Sequence, residues 1–537
     1  MNKTSSRNFS KSISRKAVNL HPQKHDKQIS TSKKSVIKNK EEINPTQIIT
    51  EMNELKCLQI SLCSITYDSF NLEEIKKMII PKFSNDKERL YQLILSLFCL
   101  FISRPHFEEI YIQIFELVSQ QVKIFFSSEE LFLILKERLP IRLNLLLYLM
   151  ENHYISIECL QELFERDVPF YYCFFYPEIK KLFPNRTSRI DHKVKGIKNF
   201  KEKRKLGMND DPLYLAIRFD KIDEFQQIIS LQNISLISKI NFSFFECISL
   251  IEANCNEMQL IDYAALFGSV KVFRYIFLNR NLKANPLPIT LPTMATFGGN
   301  VEIIRLVEQS MKVYFFSTHL ETAIFYWHND IAIHYHDVFN FQYGIDCMLR
   351  SIFMFNIDFF LFLQNENLPI NLQEINEDKR KHYTALHSAV TMGSLLLVKY
   401  LLFVKNADPN ILDADQRTPL YLAVKENVYD IAEFLIQQKN IRKDLTIVNK
   451  NTLLMESVST GNMKMVQLVL KYGNINKSNY LQKNSQGQNV LDVAKAYSNY
   501  YFGATKIKYK KIHDYIISAI SQKKEVKFTR LDFHDGM

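Results

Sequence analysis

A small residue recurs nine times between residues 216 and 494, and each recurrence brings similar companions. Gly or a polar residue tends to stand four positions later, and an apolar pair stands eight and nine later. The frame reads Ala216 (Asp220; Glu224, Phe225), Ala264 (Gly268; Val272, Phe273), Ala295 (Gly299; Ile303, Ile304), Ala323 (Trp327; Ile331, Ala332) and Ser351 (Phe355; Phe359, Phe360). It continues as Ala389 (Gly393; Leu397, Val398), Ala423 (Asn427; Ile431, Ala432), Ser457 (Gly461; Met465, Val466) and Ala494 (Ser498). The anchors are 48, 31, 28, 28, 38, 34, 34 and 37 residues apart. The Ala216, Ala323 and Ser351 frames each miss one position. A period near ~33 residues means one supersecondary unit per repeat, stacked on its neighbours. The small anchor lets two antiparallel helices approach closely. The residue at +4 ends the first helix in a left-handed conformation. The pair at +8 and +9 belongs to the second helix and fills the space between layers. No such unit buries both its faces alone, so the array folds by stacking.

Composition agrees with helices. Glycine is 12 of 537 residues, and the first is Gly196. A chain without glycine in its first 195 residues has no Gly-rich phosphate loop there and few of the left-handed turns of hairpins. That argues against a nucleotide-binding α/β enzyme and against a β-sandwich. Hydrophobic residues are 47% and charged residues 23%, enough apolar material for a core.

The formal charge of +11 is a local property. Residues 1–40 hold eleven Lys/Arg and one acid, Asp26, which leaves a net of +1 for the remainder. Residues 1–42 are Lys/Ser/Thr/Asn-rich and are expected to be a disordered basic tail. The tail is a candidate contact for a polyanion, either nucleic acid or anionic membrane. Its one aromatic, Phe9, argues against base stacking. Its serines are candidate phosphorylation sites that would cancel the charge.

Residues 43–190 are read as a helical amino-terminal domain, with Leu90, Leu93, Ile94, Leu97, Phe98 and Phe101 on one helical face. The longest apolar run, Leu90–Ile102, falls short of the ~18–20 residues that cross a bilayer and is expected to be a buried helix. Residues 191–209 form a basic connector, and Lys203-Arg204-Lys205 is a candidate nuclear-import cluster. Residues 210–380 read as divergent repeats, 381–520 as the best-formed repeats and 521–537 as a carboxy-terminal tail. The eight cysteines show no metal-type or disulfide-type spacing, and the first 40 residues lack an apolar run, so a reducing compartment, cytoplasmic or nuclear, is the expectation.

Two frames carry a known signature. Thr384-Ala-Leu-His387 with Ala389 and Gly393 resembles the ankyrin T-P-L-H-x-A motif. Thr418-Pro-Leu-Tyr421 with Ala423 matches it again, preceded by Ala407-Asp-Pro-Asn410 and by Asp413-Ala-Asp-Gln-Arg417, where Gln416 replaces the usual Gly. Thr452-Leu-Leu-Met455 is a weaker copy, and Asn484-Ser-Gln-Gly487 with Val490-Leu-Asp-Val-Ala494 reads as the last one. Asp211–Arg218 and Leu260–Ser269 look like the divergent ankyrin-repeat proteins expanded in parasitic protists. The resemblance implies an all-α chain, a helical amino-terminal domain followed by an ankyrin-type solenoid. It implies that His387 bonds backbone in the next layer. It also implies a non-catalytic scaffold or adaptor that holds a protein partner on a concave face. By position, the turn tips are Arg380, Lys381 and Tyr383; Asp415 and Arg417; Ser485, Gln486 and Gln488. The matching helix positions are Thr391 and Met392; Lys425 and Glu426; Ser459 and Thr460.

Chemistry finds no comparable support. The chain lacks G-x-x-x-x-G-K-[ST], G-x-G-x-x-G, H-E-x-x-H and G-x-S-x-G. His328, His334, His336 and Asp337 are the one ligand-like cluster, but residues two apart on a helix point to different sides. No metal, cofactor or catalytic residue is expected.

Overall fold

The computed structural model describes residues 43–522, except 139–141, 161–172, 184–190, 242, 244, 249–250, 252–253, 255, 281–284, 311–313, 374–381, 444–448, 474, 476 and 501–502. The basic tail and most of the carboxy-terminal tail lie outside the described residues. The fold is all-α. Among the described residues the one β pairing is an isolated bridge between Lys239 and Gln259.

Each of the nine anchors sits in the first helix of a helix pair. The pairs are Pro212–Arg218 with Ile222–Gln232, Leu260–Leu266 with Val270–Asn279, Leu291–Gly298 with Val301–Gln309, and Ser317–Phe325 with Asn329–Phe339. They continue as Ile345–Phe353 with Ile357–Asn365, Ala385–Met392 with Leu395–Phe403, Pro419–Lys425 with Tyr429–Ile436, Leu453–Ser459 with Met463–Tyr472, and Val490–Tyr500 with Gly503–Gln522. First helices pack on first helices in unbroken order from Pro212 to Val490. All nine anchors have 0% exposure, because any larger side chain would push adjacent first helices apart. The apolar pairs from Val272–Phe273 to Met465–Val466 are all at most 5% exposed. Glu224 in the Ala216 repeat is the exposed exception, and its neighbour Phe225 fills the layer.

The residue at +4 is left-handed in eight repeats, with φ from 52° to 70°. Four of these are glycines. The others are Asp220, Trp327, Phe355 and Asn427. A side chain there costs roughly 1–2 kcal/mol, and each larger one regains it by contact. Trp327 Nε1 donates to the Met354 carbonyl at 3.0 Å, and Phe355 is wholly buried. Asp220 accepts from the backbone N–H groups of Lys271 and Val272 (3.2 and 3.0 Å), capping the second helix of the following repeat.

The amino-terminal helices are α1 (Pro45–Cys63), α2 (Leu72–Phe83), α3 (Lys87–Ser103), α4 (Glu108–Glu116), α5 (Ser119–Phe125), α6 (Ser128–Arg138) and α7 (Leu143–Glu151). Helix α3 is the apolar run, buried along its length from Gln92 to Ser103. No single described helix is long and apolar enough to cross a membrane. These helices pack along the row of turns that join first to second helices. Helix α1 lies against Ile357–Asn365 and Leu395–Phe403. The Tyr91 hydroxyl donates to the Met392 carbonyl at 2.7 Å, and the His106 ring meets Phe267 edge-on at 5.4 Å.

Gln59, wholly buried on α1, joins three elements. Its amide donates to Ser96 Oγ (3.0 Å) and to the Phe355 carbonyl (2.8 Å), and its oxygen accepts from the Ile357 N–H (3.0 Å). In the basic stretch Lys201, Glu202, Lys205 and Leu206 are exposed, and Arg204 is the exception. Arg204 is buried in Phe200–Leu206 and pairs with both oxygens of Glu178 (2.6 and 3.0 Å), since a buried guanidinium needs a partner. Lys203 and Lys205 pair with Asp210 and Glu151. Gln59→Leu should remove both of its bonds to the turn and leave the Ile357 N–H and the Phe355 carbonyl only their contact with each other (3.0 Å). A loss of about 1–3 kcal/mol is expected, at roughly 0.5–1.5 kcal/mol for each hydrogen bond removed, read by denaturant unfolding.

Candidate interaction surface

The turn before each first helix supplies the chain's exposed tips. In the Ala423 repeat the tip is Asp413–Arg417. The Asp413 N–H donates to the Arg417 carbonyl (2.9 Å), and Asp413 Oδ1 accepts from the N–H groups of Asp415 and Arg417 (3.0 and 2.8 Å). Gln416 takes φ 63°, the conformation a glycine usually supplies. The Ala494 repeat repeats this geometry with Asn484. Its N–H donates to the Gln488 carbonyl (2.9 Å), its Oδ1 accepts from Gln486 and Gln488 N–H (3.0 Å each), and Gly487 takes φ 75°. Between them, Lys450 is left-handed at φ 59°, and the Asn449 carbonyl accepts from the Ser485 N–H at 2.8 Å. Gln416, Lys450 and Gly487 each stand seven residues before their anchor.

The tips are tied to the layers by His387. Its Nδ1 accepts from the Thr384 N–H (3.3 Å), so Nε2 carries the proton and donates to the Arg417 carbonyl (3.1 Å) of the next repeat. Burial pushes its pKa down and keeps the ring neutral. The bond that the resemblance implied is present. Tyr421 continues the series one repeat later, donating to Glu456 Oε2 at 2.8 Å. In the Ala264 repeat a carboxylate takes the histidine's place. Asp262 accepts from Gln259 N–H (2.7 Å) and from Thr290 Oγ1 (3.0 Å) of the next repeat, and burial lifts its pKa to about 7.

Residues 356–447 match the family described as ankyrin repeats (3 copies). That stretch is built of ankyrin repeats. The chain is 35% identical over 132 residues to Alpha-latrotoxin-Lg1a of Latrodectus geometricus, a stretch covering 23% of this chain and 9% of the toxin. It is 29% identical over 103 residues to the Transient receptor potential cation channel subfamily A member 1 of Homo sapiens, covering 19% of this chain and 9% of the channel. The matched stretch thus spans about a tenth of either relative.

The candidate residues separate by exposure. Asp415, Lys425, Ser485 and Gln486 are exposed. Thr391, Glu426, Ser459, Thr460 and Gln488 are half-buried. Thr391 donates back to the His387 carbonyl (3.1 Å), Thr460 Oγ1 to the Ser457 carbonyl (2.8 Å), and the Ser459 carbonyl accepts from Tyr509 (2.8 Å). Tyr383, Met392 and Arg417 are buried and present no side chain to a partner. The Tyr383 ring stacks on His387, Met392 lies under Tyr91, and Arg417 braces the tip by donating to Asp413 Oδ2 at 2.7 Å. Arg380 and Lys381 lie outside the described residues. The tip residues Gln416, Asn449 and Lys450 are exposed and are not among the contact positions that the resemblance implied, although the position seven before each anchor marks two of them.

The histidine cluster does not converge. His328 Nε2 meets the Phe297 carbonyl (2.7 Å), His334 Nε2 meets Glu308 (2.9 Å) and His336 Nδ1 meets the Phe341 carbonyl (2.7 Å). Among the described residues no group of three His, Cys, Asp or Glu is placed to hold a metal ion.

Two measurements test this geometry. Gln416→Gly should raise stability by up to about 1 kcal/mol, since glycine enters the left-handed region without its steric cost, and thermal melting reads the shift. Burial holds His328 down to about 4, against an ordinary value of 6.5. The folded ring binds its proton more weakly than the unfolded one. The resulting stability is therefore complete above pH ~6.5 and is lost as pH falls toward 4. His328→Gln should remove that dependence. Stability lost between pH 7 and 5 should be smaller in the variant by about 2 kcal/mol, seen in urea titrations at both pH values.

Proposed function

We propose that the chain is a non-catalytic scaffold or adaptor that recruits another protein on the tips of its last three repeats. Ankyrin repeats form a protein–protein interaction domain, and the proposal assigns the contact to Asp415, Gln416, Asn449, Lys450, Ser485 and Gln486, with Lys425 beside them. The observation that carries it is the rigidity of exposed tips. Asp413 and Asn484 each take two tip N–H groups onto one side-chain oxygen. A preorganised tip loses little freedom when a partner docks, and that saved ordering cost becomes affinity. The opposite edge of the array is taken by the amino-terminal helices and has less to offer.

Asp415→Ala, Gln416→Ala, Lys450→Ala and Gln486→Ala combined should leave melting nearly unchanged and abolish capture of the partner in a pull-down from the source cells. Capture of the same proteins by wild type and variant would remove the tips from consideration.

A second reading rests on the eleven Lys/Arg and one acid in residues 1–40. That segment would tether the array electrostatically to nucleic acid or an anionic membrane. Such binding should weaken steeply with salt and vanish on deletion of 1–40, whereas partner capture by the tips should survive both.

A further inference from the structure

The closing helix, Gly503–Gln522, packs on Val490–Tyr500 through Tyr509, Ile512, Ile516 and Ile520, all at most 5% exposed. At 3.6 residues per turn these four positions mark one face. Lys506, Lys508, Lys510 and Lys511 are all exposed around the rest of that helix's first turns. Ile507, 56% exposed, and Tyr515, 38% exposed, share the outward side with Lys511. The only acid between 503 and 522 is Asp514, which lies beside His513 at 3.4 Å.

A terminal repeat needs a polar outer face for solubility. Solubility alone asks for mixed signs and no apolar side chain. Here four lysines stand against the single exposed acid Asp514, and an isoleucine and a tyrosine stand among the lysines. We infer that the closing helix is a docking face for an anionic phospholipid bilayer, with Lys506, Lys508, Lys510 and Lys511 at the headgroups and Ile507 and Tyr515 at the interfacial layer. Three considerations favour lipid over nucleic acid. The cationic side chains are all lysine, compact point charges that suit headgroups and lack the fork that reads bases. The cluster spans about 8 Å of helix axis at ~1.5 Å per residue, too short to meet the string of phosphates that gives duplex affinity. Lipids, in contrast, diffuse in the plane and gather under a compact charge. An exposed isoleucine gains free energy in the interfacial layer and gains none on a phosphate backbone.

The test uses the full chain and sedimentation with vesicles of phosphatidylcholine, with and without phosphatidylserine. Wild type should bind the anionic vesicles and release them at high salt. Combined Lys506→Ser, Lys508→Ser, Lys510→Ser and Lys511→Ser should weaken binding by roughly 100-fold or more, at about fivefold per lysine near a charged surface. Combined Lys→Arg changes at the same four positions should keep it. Neutralising Lys33, Lys34, Lys38 and Lys40 removes the same net charge elsewhere and should cost much less. Emission from Trp327, the chain's single tryptophan, reports that each variant is folded. Equal binding by wild type and the serine variant, equal losses in both neutralised variants, or vesicle binding that needs no phosphatidylserine would each overturn the inference. So would wild type that ignores anionic vesicles and binds an RNA or DNA duplex instead.

Discussion

The array depends on one backbone conformation repeated at one position. Four residues after eight of the nine small anchors the chain enters the left-handed region, and the second helix turns back along the first. Glycine does this at little cost, but Asp220, Trp327, Phe355 and Asn427 do it as well. Stacking makes that possible. Each non-glycine turn is covered by a neighbouring layer, and contact with that layer offsets a local penalty of roughly 1–2 kcal/mol. The ninth repeat shows the converse. Ser498 remains inside Val490–Tyr500, no turn forms at +4, and the closing helix starts only at Gly503.

The amino-terminal helices act on the same turns. Gln59 binds both sides of the Phe355 turn, Tyr91 binds the carbonyl just before the Gly393 turn, and His106 abuts Phe267 just before Gly268. Partly exposed ion pairs add to this row, Lys56 to Asp358 and Lys399 to Glu88, though such pairs contribute little in water. The decisive contacts are buried hydrogen bonds to backbone atoms of the turns.

Much of the array was legible because its information is local. The anchors, the +4 residues and the apolar pairs lie within nine residues of one another, so one frame read along the chain finds all nine helix pairs. The His387 bond was legible through the T-A-L-H motif. The docking of the amino-terminal helices was not. Gln59 meets Phe355 and Tyr91 meets Met392 across roughly three hundred residues, and no spacing records which buried amide finds which carbonyl. The candidate surface was half legible for a related reason. Position in a repeat says where a backbone atom sits, but whether its side chain is exposed depends on what covers it. Arg417 stands at a tip and folds back onto Asp413, and Met392 ends a first helix under Tyr91. Gln416, beside Arg417, is the one that faces solvent.

Covering one edge of a solenoid changes what the other edge can do. Stacked repeats flex because each layer touches only its neighbours. Helices α1 and α3 touch several layers at once: the Ser351 repeat through Gln59 and Lys56, the Ala389 repeat through Tyr91 and Glu88, and the Ala423 repeat through Lys87 and Asp430 (4.0 Å). A brace across three layers resists the bending that would alter spacing between their turns. Spacing at the tips follows, since His387 ties the Ala389 and Ala423 layers directly to a tip carbonyl. The Ser457 and Ala494 layers lie past the brace, and there the tip contact from Ser485 to Asn449 and the Tyr509 bond to the Ser459 carbonyl take over the same task. The tip edge is thus held by contacts on both edges of the array, the brace for the Ser351, Ala389 and Ala423 layers and the tips themselves for the last two.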